Sequence, residues 1–241
     1  AERLGATAIG FGKSAHADVR LLDAVPAAGG GSLVTADLGD RRVCYTVAEP
    51  GEHWIANSLA VMAAVRAAGG DLGAAGLALA EMQGMKGRGQ RHTLKAGGGD
   101  GTGRALLIDE SYNANPASMK ATLAQLGATP ARRRIAVLGA MKELGEHGPA
   151  FHAALAGPIG EAGVDYAVLV GDEMRALADE MGKQGLGALG KTIAFAHCGT
   201  AAEALETLRS HGVEGGDAIL VKGSNSVGLG TLVSALAQDK E

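Results

Sequence analysis

Apolar and polar positions alternate in short stretches over the first fifty residues, at 7–12, 19–22, 32–36 and 42–47. Turn-forming runs separate them, among them Gly29-Gly30-Gly31 and Asp37-Leu38-Gly39-Asp40. Period-two stretches bounded by such turns predict the hairpins of an antiparallel sheet. From Ile55 the period changes: Ile55, Leu59, Met62 and Val65 follow at steps of four, three and three, which predicts a helical face ending at Gly69-Gly70. Residues 72–82 read as a second helix. The stretch 84–93 carries Lys86, Arg88, Arg91 and His92 among glycines and reads as a linker, with Gly84, Gly87 and Gly89 making it a plausible hinge.

Beyond the linker the pattern is different again. Near-continuous apolar runs at 105–108, 135–138, 167–170, 193–195 and 218–221 predict strands. Each is followed by a polar or glycine loop and then a helical stretch, starting at Pro116, Pro149, Glu173, Thr200 and Ser226. Strands apolar on both sides that alternate with helices indicate a parallel sheet covered on both faces. The expected class is therefore α/β, with a Rossmann-like, mostly parallel sheet over residues 92–241 and an α+β region over 1–91. Local signals agree: Pro116 suits a first helical turn, and Thr200 with Glu203 three residues on suits an N-terminal cap.

Composition narrows the function. The 241 residues carry 22 Lys and Arg against 26 Asp and Glu, a net charge of −4, which disfavours a nucleic-acid partner. No apolar run approaches the roughly 18 residues of a membrane span, and no basic segment leads into an apolar one as in a signal peptide. Cys44 and Cys198 form no C-x-x-C, which fits a reducing cytoplasm. The seven histidines make no metal-binding spacing, so no metal ligand is predicted, and no G-x-S-x-G elbow marks a nucleophile.

Ligands of such sheets bind beyond the carboxyl ends of the strands. The polar motifs cluster there: Asp109-Glu110-Ser111-Tyr112-Asn113-Ala114-Asn115, then Gly139 to Gly145, Gly171-Asp172, and Lys222-Gly223-Ser224-Asn225-Ser226. The opposite ends are mostly Gly, Ala and surface charge. One motif competes. Gly185 to Thr192 formally matches G-x-x-x-x-G-K-[ST], which would make the chain a P-loop NTPase using Lys191 and Thr192. That motif needs a strand before it and a helix after it, and here the predicted order is helix then strand, as in a glycine-rich connection. Gly10-Phe11-Gly12-Lys13-Ser14 lacks the earlier glycine and reads as a turn.

The run Asp109 to Met119 closely resembles a signature of the Mur ligase family, in the branch that joins D-alanyl-D-alanine to UDP-N-acetylmuramoyl-tripeptide. Other motifs agree in order: Gly51 to Asn57 resembles the family's G-x-H-N-x-x-N, with Trp54 in place of the first Asn. Gly87-Arg88 resembles the interdomain hinge. Gly139 to Gly145 resembles G-D-M-x-E-L-G, with Ala140 for Asp, and Lys222-Gly223-Ser224 resembles K-G-S, followed by Asn225 where Arg is common. The resemblance implies that 1–91 is the last part of a central ATP-binding domain and 92–241 the C-terminal domain. The family's phosphate-binding loop, magnesium-binding acid and modified lysine would lie upstream, leaving this piece without a catalytic residue and inactive alone. It implies a cytoplasmic, monomeric enzyme that uses ATP and Mg2+ to form an acyl phosphate, which the amine of D-alanyl-D-alanine attacks, for peptidoglycan synthesis.

Residue by residue, the resemblance implies nucleotide contacts for His53, Asn57, Arg88, Asp109, Glu110, Tyr112 and Asn113, with Asn57 near adenine and Glu110 favoured over Asp109 at the ribose. It implies substrate contacts for Asn115, Lys222 and Ser224. Plain structural roles stand beside these: a cap-region position for Asn57, a solvated linker charge for Arg88, a helix cap for Asn115, and for Lys222 an ion pair with Glu143 or Asp172. Apart from the resemblance, the same pattern also suits a noncatalytic Rossmann-like binding module.

Overall fold

The computed structural model describes residues 8–28, 30–82, 85–97, 103–184 and 193–238. The chain divides into two compact units, Ala1–Gln83 and Gly84–Glu241. The division falls ahead of the expected 91/92 boundary because residues 85–89 bond to the second unit, as the Gly89 N–H donates to the Asp109 carbonyl at 2.9 Å.

In the first unit β1 (Phe11–Gly12), β2 (Val19–Pro26), β3 (Ser32–Asp37) and β4 (Arg42–Val47) form a sheet in that order. The β2–β3–β4 meander is antiparallel as expected, but β1 pairs with β2 in parallel. Gly12, at φ +135°, ends β1 after two residues, and the loop that follows returns the chain in the same direction. Two helices, α1 (Glu52–Ala67) and α2 (Leu72–Glu81), cover one face. Asp71 caps α2 by accepting from the Gly73 and Ala74 N–H groups. Val34, Ala36, Tyr45 and Val47 alternate inward from the strands to meet Leu59, Met62 and Leu79, the period-two pattern of a half-buried sheet.

The second unit holds a six-stranded sheet. Its strands are β5 (Gln90–Lys95), β6 (Arg104–Glu110), β7 (Arg133–Gly139), β8 (Tyr166–Val170), β9 (Ala194–Cys198) and β10 (Asp217–Lys222), in the spatial order β5-β6-β10-β7-β8-β9. The five predicted strands are parallel. A sixth, β5, runs antiparallel to β6 and begins inside the stretch read as a linker. Its outward positions Arg91, Thr93 and Lys95 are polar, while Leu94 is buried.

Helices α3 (Pro116–Ala128), α4 (Gly148–Ala153), α5 (Ala156–Glu161) and α6 (Arg175–Gln184) connect β6 through β9, and α7 (Ala201–His211) and α8 (Leu229–Gln238) flank β10. Alternate residues of each inner strand feed two cores. Ala218 and Leu220 of β10 pack with Met119, Leu123 and Leu126 of α3. Ile219 and Val221 pack with Leu208 of α7 and Leu232 and Leu236 of α8. Both faces are thus covered, as the apolar runs require. β10 returns into the slot between β6 and β7, which is a topological switch point, and crevices open at such points.

Candidate functional site at the carboxyl ends of the second sheet

Glu110 and Lys222 are the last residues of β6 and β10 and are paired in register. Lys222 is only 2% exposed. Its Nζ donates to the Asn113 carbonyl at 2.8 Å and lies 3.8 Å from a Glu110 carboxylate oxygen. Neither Glu143 nor Asp172 is the partner. Burial pushes the ammonium below the usual lysine range; the Glu110 charge opposes this and the Arg88 charge adds to it. The lysine named for a substrate contact is an internal one.

Asp109 is 1% exposed and faces the other way. One carboxylate oxygen accepts from the Gly87 N–H at 2.8 Å and the other from the Ser111 N–H at 3.0 Å. The Tyr112 N–H in turn donates to the Gly87 carbonyl at 3.0 Å. Gly87 has φ +74°, and a Cβ there would fall 2.8 Å from the Tyr112 Cβ, so this turn admits no side chain. The turn sets the exposed Arg88 guanidinium 4.3 Å above the centroid of the exposed Tyr112 ring, a cation–π contact. Of the two adjacent acids, Asp109 ties down backbone and Glu110 meets the lysine.

Asn113 is exposed, and its side-chain oxygen accepts from the Ala114 N–H at 2.8 Å. Asn115 is the N-cap of α3: its side chain accepts from the Ser118 N–H at 2.8 Å and its own N–H donates to the Ser118 hydroxyl at 3.1 Å. The helix-cap alternative for Asn115 is thus what the backbone shows.

Ser224 joins the loops after β10 and β7. Its hydroxyl accepts from the Lys142 N–H at 3.0 Å and its N–H donates to the Ala140 carbonyl at 3.1 Å. The Lys142 ammonium pairs with Glu173, beyond β8, and that hydrogen bond holds the Glu173 carboxyl below its usual range. His152, 1% exposed on α4, braces the same loop. Its Nε2 accepts from the Met141 N–H at 2.9 Å, so Nδ1 carries the proton and donates to the Gly148 carbonyl at 2.7 Å. No sequence spacing singled out His152, because a lone histidine beside an apolar run looks like packing.

Arg88, Asp109, Glu110, Tyr112, Asn113, Asn115, Lys222 and Ser224 thus gather at the carboxyl ends of β6, β10 and β7. The arrangement offers an exposed cationic fork over an aromatic face, with an amide beside it, on a rim held by buried charges. His53 and Asn57 lie on α1 of the first unit. Gly51 is the N-cap there, so Asn57 stands one turn inside the helix, exposed, and not in the cap region. The His53 ring lies 5.7 Å from that of Trp54. Residues 185–192, with Lys191 and Thr192, lie outside the described residues. The elements flanking them are α6 before and β9 after, the reverse of what a P-loop needs. Among the described residues no group of three or more His, Cys, Asp or Glu could hold a metal ion, and no helix is long and apolar enough to cross a membrane.

Residues 98–225 match the family model described as Mur ligase, glutamate ligase domain. A UDP-N-acetylmuramoyl-tripeptide–D-alanyl-D-alanine ligase of Synechocystis is 40% identical over 131 residues, covering 54% of this chain and 27% of that protein. Among solved structures, MurF from Acinetobacter baumannii aligns with a TM-score of 0.73 at 26% identity, covering 95% of this chain and 47% of that one. MurF ligase from Thermotoga maritima in complex with ADP aligns with a TM-score of 0.72 at 21% identity, over 95% and 48% of the two chains, a likeness of fold. The matched region spans under half the length of each of these proteins.

Proposed function

The chain belongs to the Mur ligase family, and on that premise we propose that it forms the C-terminal part of an ATP-dependent ligase adding D-alanyl-D-alanine to UDP-N-acetylmuramoyl-tripeptide in peptidoglycan synthesis. In this reading the first unit ends the central ATP-binding domain and the second forms the C-terminal domain of a cytoplasmic, monomeric enzyme. The observation that carries it is the convergence of three motif-bearing loops, after β6, β7 and β10, inside the segment 98–225 that matches the family.

The residues fit a nucleotide. Arg88 presents a planar fork suited to phosphate or ribose oxygens, and the Tyr112 ring, 49% exposed, offers a face to a sugar or base. ATP, when bound, supplies the phosphoryl group that activates a substrate carboxylate. This chain's part is to bind and orient: Arg88 neutralises phosphate charge, Tyr112 and Asn113 line the cleft, and Glu110, backed by Lys222, presents a carboxylate to hydroxyl groups. Asn115 and Ser224 border the dipeptide. Magnesium is held by the upstream part. Fixing two reactants on one rim converts an encounter into an intramolecular step.

The test is phosphate release by the product of the complete reading frame, supplied with ATP, UDP-N-acetylmuramoyl-tripeptide and D-alanyl-D-alanine. Turnover should require all three. The 241-residue chain alone should release none; dipeptide-dependent release by it would overturn the division of labour proposed here.

A further inference from the structure

We propose that Lys222 is a positioning residue, an internal strut that fixes the Ser111–Asn115 loop and the Glu110 carboxylate from inside the sheet, and is not itself a ligand for substrate. The importance of the loop rests on the functional reading above; the strut itself rests on geometry. An ammonium 2% exposed cannot present itself to a ligand in the cleft without leaving its pocket. It reaches two groups on one neighbouring strand end: the main-chain carbonyl of Asn113, three residues past β6, and the carboxylate of its register partner Glu110.

The first contact is a charge-assisted hydrogen bond at 2.8 Å. The second, at 3.8 Å, is an ion pair without a direct hydrogen bond. The other charge bearing on Nζ is Arg88, from the turn before β5. Asn113, though exposed, is therefore tied to the core by a buried cation on a different strand, next to Tyr112, whose N–H is held by the Gly87 carbonyl. Buried ion pairs contribute little net stability, whereas removing one partner leaves the other uncompensated. A buried lysine in this position gives register to a loop that has no regular structure of its own.

The experiment compares the wild-type 241-residue chain with Lys222→Met, which keeps the stem and removes the charge. Amide exchange at Ser111, Tyr112 and Ala114 should rise about tenfold or more, as for a lost hydrogen bond to a charged donor, while Leu220 within β10 stays protected. Should the variant not fold, NMR of the wild type gives a second reading. The Asn113 and Ala114 amide shifts should follow the same pH midpoint as the Lys222 side chain. Unchanged loop exchange, or loop shifts that ignore the lysine, would overturn the strut. In the complete ligase, Lys222→Met should raise KM for ATP or dipeptide more than it lowers kcat. A loosened loop with both KM values unchanged would overturn the functional reading of the loop and leave the strut standing.

Discussion

Gly139 and Gly223, which end β7 and follow β10, touch through their backbones: a Cβ added to Gly223 would lie 3.0 Å from the Gly139 Cα and 2.9 Å from the Leu229 side chain. The first glycine of the 139–145 motif and the glycine of Lys222-Gly223-Ser224 are thus one packing device. They let two strand ends close on each other where the loops diverge.

Gly223→Ala should therefore destabilise the chain by about 1–3 kcal/mol, the range for an overpacked site whose neighbour is backbone. Urea unfolding measures it. A loss below about 0.5 kcal/mol would mean that the strand ends separate freely.

Asp217→Ala should cost about 1.5–3 kcal/mol through loss of charge-assisted hydrogen bonds to a buried carboxylate. The Arg133 guanidinium donates twice to Asp217, at 2.9 and 2.6 Å, from the register-paired first residue of the adjacent strand. This pair lies at the amino ends of β7 and β10, opposite the proposed site. Turnover of the complete enzyme per folded molecule should be unchanged, and a lower value would place the opposite rim in the chemistry.

Arg88→Ala should behave in reverse. An exposed cation–π contact contributes about 0.5–1 kcal/mol, so the melting temperature should shift little. Ligase turnover should fall at least tenfold if the fork carries phosphate charge. A large loss of stability with normal turnover would make Arg88 a packing residue.

Lys222 links stability to pH with a definite sign. Its folded pKa lies below that of the unfolded chain. Between the two values the unfolded state binds the extra proton, so the unfolding free energy rises with pH. The difference between wild type and Lys222→Met should accordingly shift in favour of wild type as pH rises toward about 10.5, the ordinary lysine value. Denaturant melts across that range test it, and a flat difference would mean that the buried amine keeps its usual affinity for protons.

The five parallel strands were legible because a strand buried on both faces must be apolar throughout, and few other elements are. The Asn115 cap was legible because its chemistry is local: Asn, then Pro116, then Ser118. β5 was not, because an edge strand carries polar residues on its outer side, and Arg88 and Arg91 among glycines look like a linker. The position of the rim followed from the order of elements, but the roles within it did not. A lysine is ordinarily a surface residue, and only the insertion of β10 between β6 and β7 buries Lys222 beside Glu110. The same insertion brings Arg133 and Asp217 together across 84 residues of chain, a distance no local pattern spans.

Glycines at 87 and 89 suggest a swivel, yet both their N–H groups are bonded to Asp109, one through its carboxylate and one through its carbonyl. Torsional slack has been taken out of this ribbon while the chain folds. On the proposed reading, Arg88 is in consequence carried on a fixed backbone, with its arm set before any reactant arrives. The entropic penalty of setting it falls on folding and not on each round of association, which leaves more of the contact energy for holding what comes to rest against it.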